Sequence, residues 1–248
     1  MGDYVVSLLT FSLIGLGIHL WAHSKGYLSL SKRNHPEEML SGKALIVAFV
    51  LYIGIPFAIP SLIDTFILDS GMALVVRLTL FEMLYIATTM ALLTILFFSR
   101  WGIKGSAIWK EPHHASILSD IGAGIATYAI AMPFVIAGGQ LAEIVSRLLL
   151  SGGGGEQTAV RYLKLVRNNP ALLTIALIVI MICAPILEEC LFRGLLLTWL
   201  RKQIGVKAAI LISALLFALF HFSPSQSVGN IPLITSLTLL ALYLDFIY

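Results

Sequence analysis

Seven long runs of apolar residues divide the chain: Tyr4 to Ala22, Ala44 to Leu68, Leu74 to Phe98, Ile117 to Val145, Ala171 to Leu200, Lys207 to Phe222 and Ile231 to Tyr248. Crossing the roughly 30 Å hydrocarbon core of a bilayer takes about 20 such residues in a helix. Inside lipid every backbone amide has to be satisfied within its own segment, so the runs are predicted to be helices. The fold class that follows is all-α, a polytopic transmembrane helical bundle of about seven spans. Pro56, Pro60 and Pro133 are expected to kink the second and fourth spans.

Polar positions between the runs orient the bundle. Lys25, Lys32, Arg33 and Lys43 follow the first span; Arg100, Lys104 and Lys110 follow the third; Arg201 and Lys202, with Lys207 beyond, follow the fifth. The positive-inside rule makes these loops cytoplasmic and puts the N-terminus outside a multi-pass inner-membrane protein. The segment Ser146 to Pro170 runs against the rule, because it carries Arg147, Arg161, Lys164 and Arg167. Gly152 to Gly155 reads as a flexible hinge in that segment. Beyond it, Ala159, Tyr162, Leu163 and Val166 recur at helical spacing, with Arg161, Lys164 and Arg167 largely opposite. That pattern predicts an amphipathic helix, either lying at the membrane interface with its basic face toward headgroups or serving as a solvated linker. The organisation expected is therefore N-terminal transmembrane helices over 1–150, hinge and amphipathic helix over 151–170, and a C-terminal core over 171–248.

Composition agrees with a lipid environment. The chain of 248 residues is 58% hydrophobic and 12% charged, where a soluble domain holds about 25% charged residues. The net charge of +3 is small. No basic cluster is dense enough for nucleic acid, so the partner expected from composition is the bilayer. The first apolar run lacks a basic n-region and a small-residue cleavage site, and is read as a retained helix. Cys183 and Cys190 lie two helical turns apart in an apolar run and are read as packed thiols. His19 and His23 are four apart, a spacing that can hold a metal, but no third ligand is near in sequence; two interfacial imidazoles are the simpler reading. His113 and His114, beside Pro112, are read as loop residues.

Ionisable residues within a span carry functional weight, because they are costly there. Glu143 and Arg147 sit at a span end and are expected to pair. Glu188, Glu189 and Arg193 lie deep in the fifth run. Glu189 and Arg193, four apart, share a helix face and are expected to form a charge-assisted pair. Glu188 points about 100° away, and burial there would strengthen its carboxylate as a general base. The sixth run holds Phe217 and His221. Glu188 precedes Arg201 and His221 follows Lys207 by nearly the same stretch, roughly 20 Å of helix at about 1.5 Å per residue. A hairpin through that turn would bring carboxylate and imidazole to one level. Physics alone also allows a polar lock between two helices.

The two motifs, Glu188-Glu189-x-x-x-Arg193 and Phe217-x-x-x-His221, resemble those of the CAAX protease and bacteriocin-processing family, which includes type II CAAX prenyl proteases. Leu191 to Gly194 and Ser213 to Phe217 are similar as well. The resemblance covers roughly the last 80 residues. It implies an intramembrane endopeptidase in which Glu188 activates a water, assisted by His221, with Glu189 and Arg193 orienting the site and Phe217 shaping it. It implies no cofactor: Glu188 and His221 are two ligands where catalytic zinc takes three, so zinc is the less favoured alternative. Relatives carry a further helix with a His-x-x-x-Asn motif for oxyanion stabilisation. No histidine follows His221, so the chain is expected to be truncated before that helix, which supports the ancestral chemistry better than turnover. A non-catalytic scaffold or degenerate paralogue is the alternative function. A transporter lacks support, since no matched pair of broken helices appears in two halves.

Overall fold

A computed structural model describes residues 2–26, 41–66, 74–98, 117–149 and 157–247. The Gly152–Gly155 hinge, the loop cations Lys32, Arg33, Arg100, Lys104 and Lys110, and His113 and His114 lie outside the described residues. The helices are α1 (Gly2–Ser24), α2 (Gly42–Phe66), α3 (Leu74–Phe98), α4 (Ile117–Leu149), α5 (Thr158–Val166), α6 (Pro170–Ile204), α7 (Val206–Phe220) and α8 (Asn230–Ile247). A short 3-10 turn, Pro224–Gly229, leads into α8. There is no strand among the described residues. Each predicted span is a helix with ends within a few residues of those expected. Helical backbone runs through Pro56, Pro60 and Pro133.

Four stretches among the described residues are long and apolar enough to cross a membrane: Gly2–Ser24, Gly122–Leu149, Pro170–Ile204 and Pro224–Phe246. The described part of α2, Gly42–Ile55, and α7 are apolar but shorter. Large side chains face outward along these helices, with Leu13 71% and Met181 68% exposed. Water would oppose so much outward apolar surface, whereas lipid tails solvate it.

The helices form two compact units that interleave along the chain. One unit holds α1, α4, α7, α8 and the end of α6 from Leu200. In it α4 packs against α1 and α8, and α8 also packs against α7. Small residues permit that approach, as is usual where helices meet in membranes. A methyl group added at Gly15 would lie 3.3 Å from Phe134 and Pro133. One added at Gly138 would collide with Leu239, and one at Gly139 with Ser236. Ser236 Oγ donates to the Val135 carbonyl at 3.3 Å across the same seam. At the end of α4, Arg147 pairs with Glu143 at 2.5 Å, as the spacing predicts. Arg147 also donates to Tyr4 Oη at 3.0 Å, with its guanidinium 4.7 Å from the ring centre.

The other unit holds α2, α3, α5 and α6 up to Trp199. Ile55 of α2 is enclosed by Leu51, Phe81, Leu84 and Tyr85. The amphipathic helix forms as expected, and its apolar face is covered by protein. Tyr162 and Val166 bury against Ala176, beside Leu163, Leu172, Leu173 and Ile180. Ala159, expected on that face, is exposed. Tyr162 donates to Thr79 Oγ1 at 2.9 Å, tying α5 to α3, and burial pushes the Tyr162 phenol up. Arg161, Lys164 and Arg167 remain on the outer side.

The α4–α8 seam makes a direct prediction. Gly139→Val puts a branched side chain against Ser236 and should cost about 1–3 kcal/mol, the usual penalty of overpacking. Thermal unfolding in detergent would register it as a Tm several degrees below that of the parent.

Candidate intramembrane site

Helix α6 starts cleanly. Asn169 accepts from the amides of Ala171 at 3.1 Å and Leu172 at 3.2 Å, and Pro170 occupies the first turn, where no amide is needed. The helix then widens twice. Between Val179 and Cys183 it takes π geometry, with the Ala184 amide reaching back five residues to the Val179 carbonyl. Pro185 accounts for this, since it has no amide to give and its ring crowds the carbonyl four residues back. A second π stretch runs from Glu189 to Leu197, and Thr198 Oγ1 donates to the Arg193 carbonyl at 3.3 Å, again five residues back. The single α-helical turn between them, Ala184–Glu188, ends on Glu188. Local π geometry recurs at functional sites because it re-aims side chains on an otherwise regular helix.

Arg193 is 1% exposed and its Nε lies 3.6 Å from Glu189 Oε2, while Glu189 is 49% exposed. The expected i, i+4 pair is therefore present, with its cation buried and its anion at the rim. Glu188 is half-buried. Cys183 and Cys190 are free thiols, both half-buried, as read from their spacing.

Within the same unit α2 lines this part of α6. Gly42 sits against the Trp199 indole, where an added methyl would come to 3.4 Å. Phe49 meets Phe192 edge-to-face at 5.4 Å between ring centres. Seven residues forward on α2 match seven backward on α6, so the two helices run antiparallel in register. One further turn in each direction brings Tyr52 opposite Glu188. Tyr52 is buried, its ring lies 6.2 Å from that of Tyr85 on α3, and the two hydroxyls share a hydrogen bond. Both phenols feel the charge of Glu188, and Tyr85 also feels that of Glu82.

Phe217 and His221 belong to the other unit. Gly205, at φ +81°, separates α6 from α7, a backbone conformation open chiefly to glycine. The expected turn at Arg201 to Lys207 thus tightens to a single residue. Helix α7 ends at Phe220 with its last carbonyls satisfied locally. The His221 amide donates to Ala218 at 3.1 Å and the Phe222 amide to Leu219 at 3.0 Å. His221 Nδ1 takes the Phe217 carbonyl at 2.9 Å. A carbonyl only accepts, so Nδ1 carries a proton, and whenever the ring is neutral the lone pair is on Nε2. The Phe217 and His221 rings lie 4.9 Å apart. The Phe-x-x-x-His spacing thus sets both the tautomer and the packing of the imidazole.

Asn230, buried, holds the turn that follows. Its Oδ1 accepts from the Ser223 amide at 2.9 Å, and its Nδ2 donates to the carbonyls of Ser223 at 2.7 Å and Ser227 at 3.0 Å. That clamp sustains Ser227 at φ 46° and ψ −122°, an unfavourable conformation for a non-glycine residue. Elsewhere in this unit His19 packs against Phe134 and Tyr243 and shares a 3.3 Å hydrogen bond with the Tyr243 hydroxyl. Within either unit, no three His, Cys, Asp or Glu side chains among the described residues gather as a metal cage.

Sequence reasoning passed over Tyr52, Tyr85 and Asn230. Their signal was small: a phenol or amide tip within an apolar run. Asp245 was passed over too; it is wholly buried in α8, where its carbonyl accepts from Arg201 Nη2 at 2.8 Å.

Helices of this length and outward apolarity, with a carboxylate pair and a buried guanidinium in the longest of them, define an all-α multi-pass membrane protein with a polar enclave. Residues 170–248 match the family described as type II CAAX prenyl endopeptidase Rce1-like. That segment contains both motifs, and the match bears out the resemblance to the CAAX protease family. No curated protein and no solved structure matches the chain.

Truncating Arg193 to Ala removes a buried fork and leaves Glu189 without this cation. The expected cost is about 3 kcal/mol, seen as a lowered Tm in detergent. Arg193→Lys keeps the charge but not the planar fork, and should recover only part of the loss.

Proposed function

We propose that the protein is an intramembrane endopeptidase that hydrolyses a peptide bond of a membrane-associated protein or peptide, with Glu188 as the general base. The family match over 170–248 carries this reading, since that segment holds both motifs. Glu188 takes a proton from water as the water oxygen attacks the peptide carbonyl. The same proton passes to the amide nitrogen as the C–N bond breaks, leaving a carboxylic acid and an amine. His221 assists from the neutral state, in which Nε2 accepts from the attacking water. Glu189 and Arg193 hold the helix face that presents Glu188, and Phe217 holds the imidazole. Glu188 and His221 each lie roughly 25 Å of helix from Gly205, and this near-equal spacing motivates pairing them. The reading includes an inner-membrane location with the N-terminus outside, from the placement of the basic loops. The family description names a prenyl endopeptidase, so a prenylated C-terminal peptide is the first substrate to try.

The test is cleavage of a fluorogenic reporter by the full chain in detergent, offered with and without a prenyl group. Glu188→Gln keeps the shape and removes the base, and turnover should fall about 100- to 10,000-fold. Unchanged turnover in that variant would refute Glu188 as the base. Turnover should also survive a strong chelator, because Glu188 and His221 supply two ligands where catalytic zinc takes three. Activity lost to the chelator and restored by zinc would refute a metal-free mechanism. A chain that cleaves neither reporter would point instead to a non-catalytic membrane scaffold.

A further inference from the structure

We propose that Tyr52 of α2 and Tyr85 of α3 are positioning residues for Glu188, one of the two hydroxyls donating to its carboxylate. The inference rests on the reading of Glu188 as the base and adds groups from the N-terminal half of the chain, outside the matched segment. Register comes first. The contacts of Gly42 with Trp199 and of Phe49 with Phe192 fix α2 antiparallel to α6 and place Tyr52 level with Glu188. Packing comes second. Tyr85 belongs to the cluster that closes around Ile55, so α3 holds its ring against that of Tyr52, 6.2 Å away.

Stoichiometry comes third. Two phenols that share one hydrogen bond use one proton between them; the other points onward to a third group. The charge that both phenols feel is that of Glu188. Glu82 stands on the far side of Tyr85, one turn back on α3. A phenol donor suits this place. It is neutral, so it adds no charge to the hydrocarbon, and it orients the carboxylate without quenching it as an ammonium group would. The carboxylate then keeps one oxygen aimed at water while the other is held.

Tyr52→Phe and Tyr85→Phe keep the rings and remove only the hydroxyls, so both variants should fold. The direct readout is the infrared carboxylate stretch of Glu188 in the full chain, assigned as the band lost in Glu188→Gln. It should move in at least one single variant and in the double variant. A band unmoved in the double variant would overturn the proposal, whatever the activity. Reporter cleavage supplies the second readout: kcat about 10-fold lower with KM unchanged, the signature of a lost hydrogen bond to a charged group. The two failures separate. Turnover that survives Glu188→Gln sinks the base assignment, whereas a fixed infrared band sinks the tyrosine contact alone.

Discussion

A hydrocarbon interior offers no hydrogen-bond partners, and the rest of this molecule follows from that constraint. Each amide in a span must find its carbonyl within the same helix, so the runs that cross the bilayer are helices. Each polar side chain drawn into the bundle must likewise find a partner. Several of the described polar groups do so. The end of α4 closes its Glu143–Arg147 pair onto Tyr4. Tyr162 reaches Thr79, His19 reaches Tyr243, and Asn230 takes three backbone groups. The contacts of Tyr4, Tyr162 and His19 join helices far apart in sequence, and each trades a solvation cost for a defined register.

Helix α6 concentrates the conflict between that constraint and chemistry. It is the longest of the described helices and it carries two carboxylates and a guanidinium within six residues. Pro185 interrupts its amide ladder, and the helix answers by widening just before it; a second widening follows Glu188. A regular helix would repeat every fourth residue on one face. Widening shifts that repeat, which lets Arg193 sink to 1% exposure while Glu189 stays half exposed at the rim. Burial of the cation is tolerable because its partner is adjacent, and the expense of removing either makes the pair a local organiser.

Hydrolysis inside a membrane needs a base that is desolvated enough to be strong and wet enough to meet water. Glu188, the proposed base, is half-buried. In the proposed site the tyrosine hydroxyls orient that carboxylate, and His221 has Nδ1 committed to the Phe217 carbonyl.

The sequence by itself determined the helices, because hydrophobic run length and backbone satisfaction are local properties. It also determined the Glu189–Arg193 pair and the Glu143–Arg147 pair, since four residues on one helix define a distance before any folding occurs. The amphipathic face of α5 was legible for the same reason, although what covers Tyr162 and Val166 was not. Tertiary structure decided everything that depends on register between helices. That Tyr52 stands level with Glu188 follows from Trp199 meeting Gly42 and Phe192 meeting Phe49, and no periodicity along either helix encodes that offset. The tautomer of His221 and the clamp by Asn230 were hidden for a related reason. Both depend on where a helix stops, and the carbonyls left over at a helix end are set by a chain reversal that apolar patterning does not record.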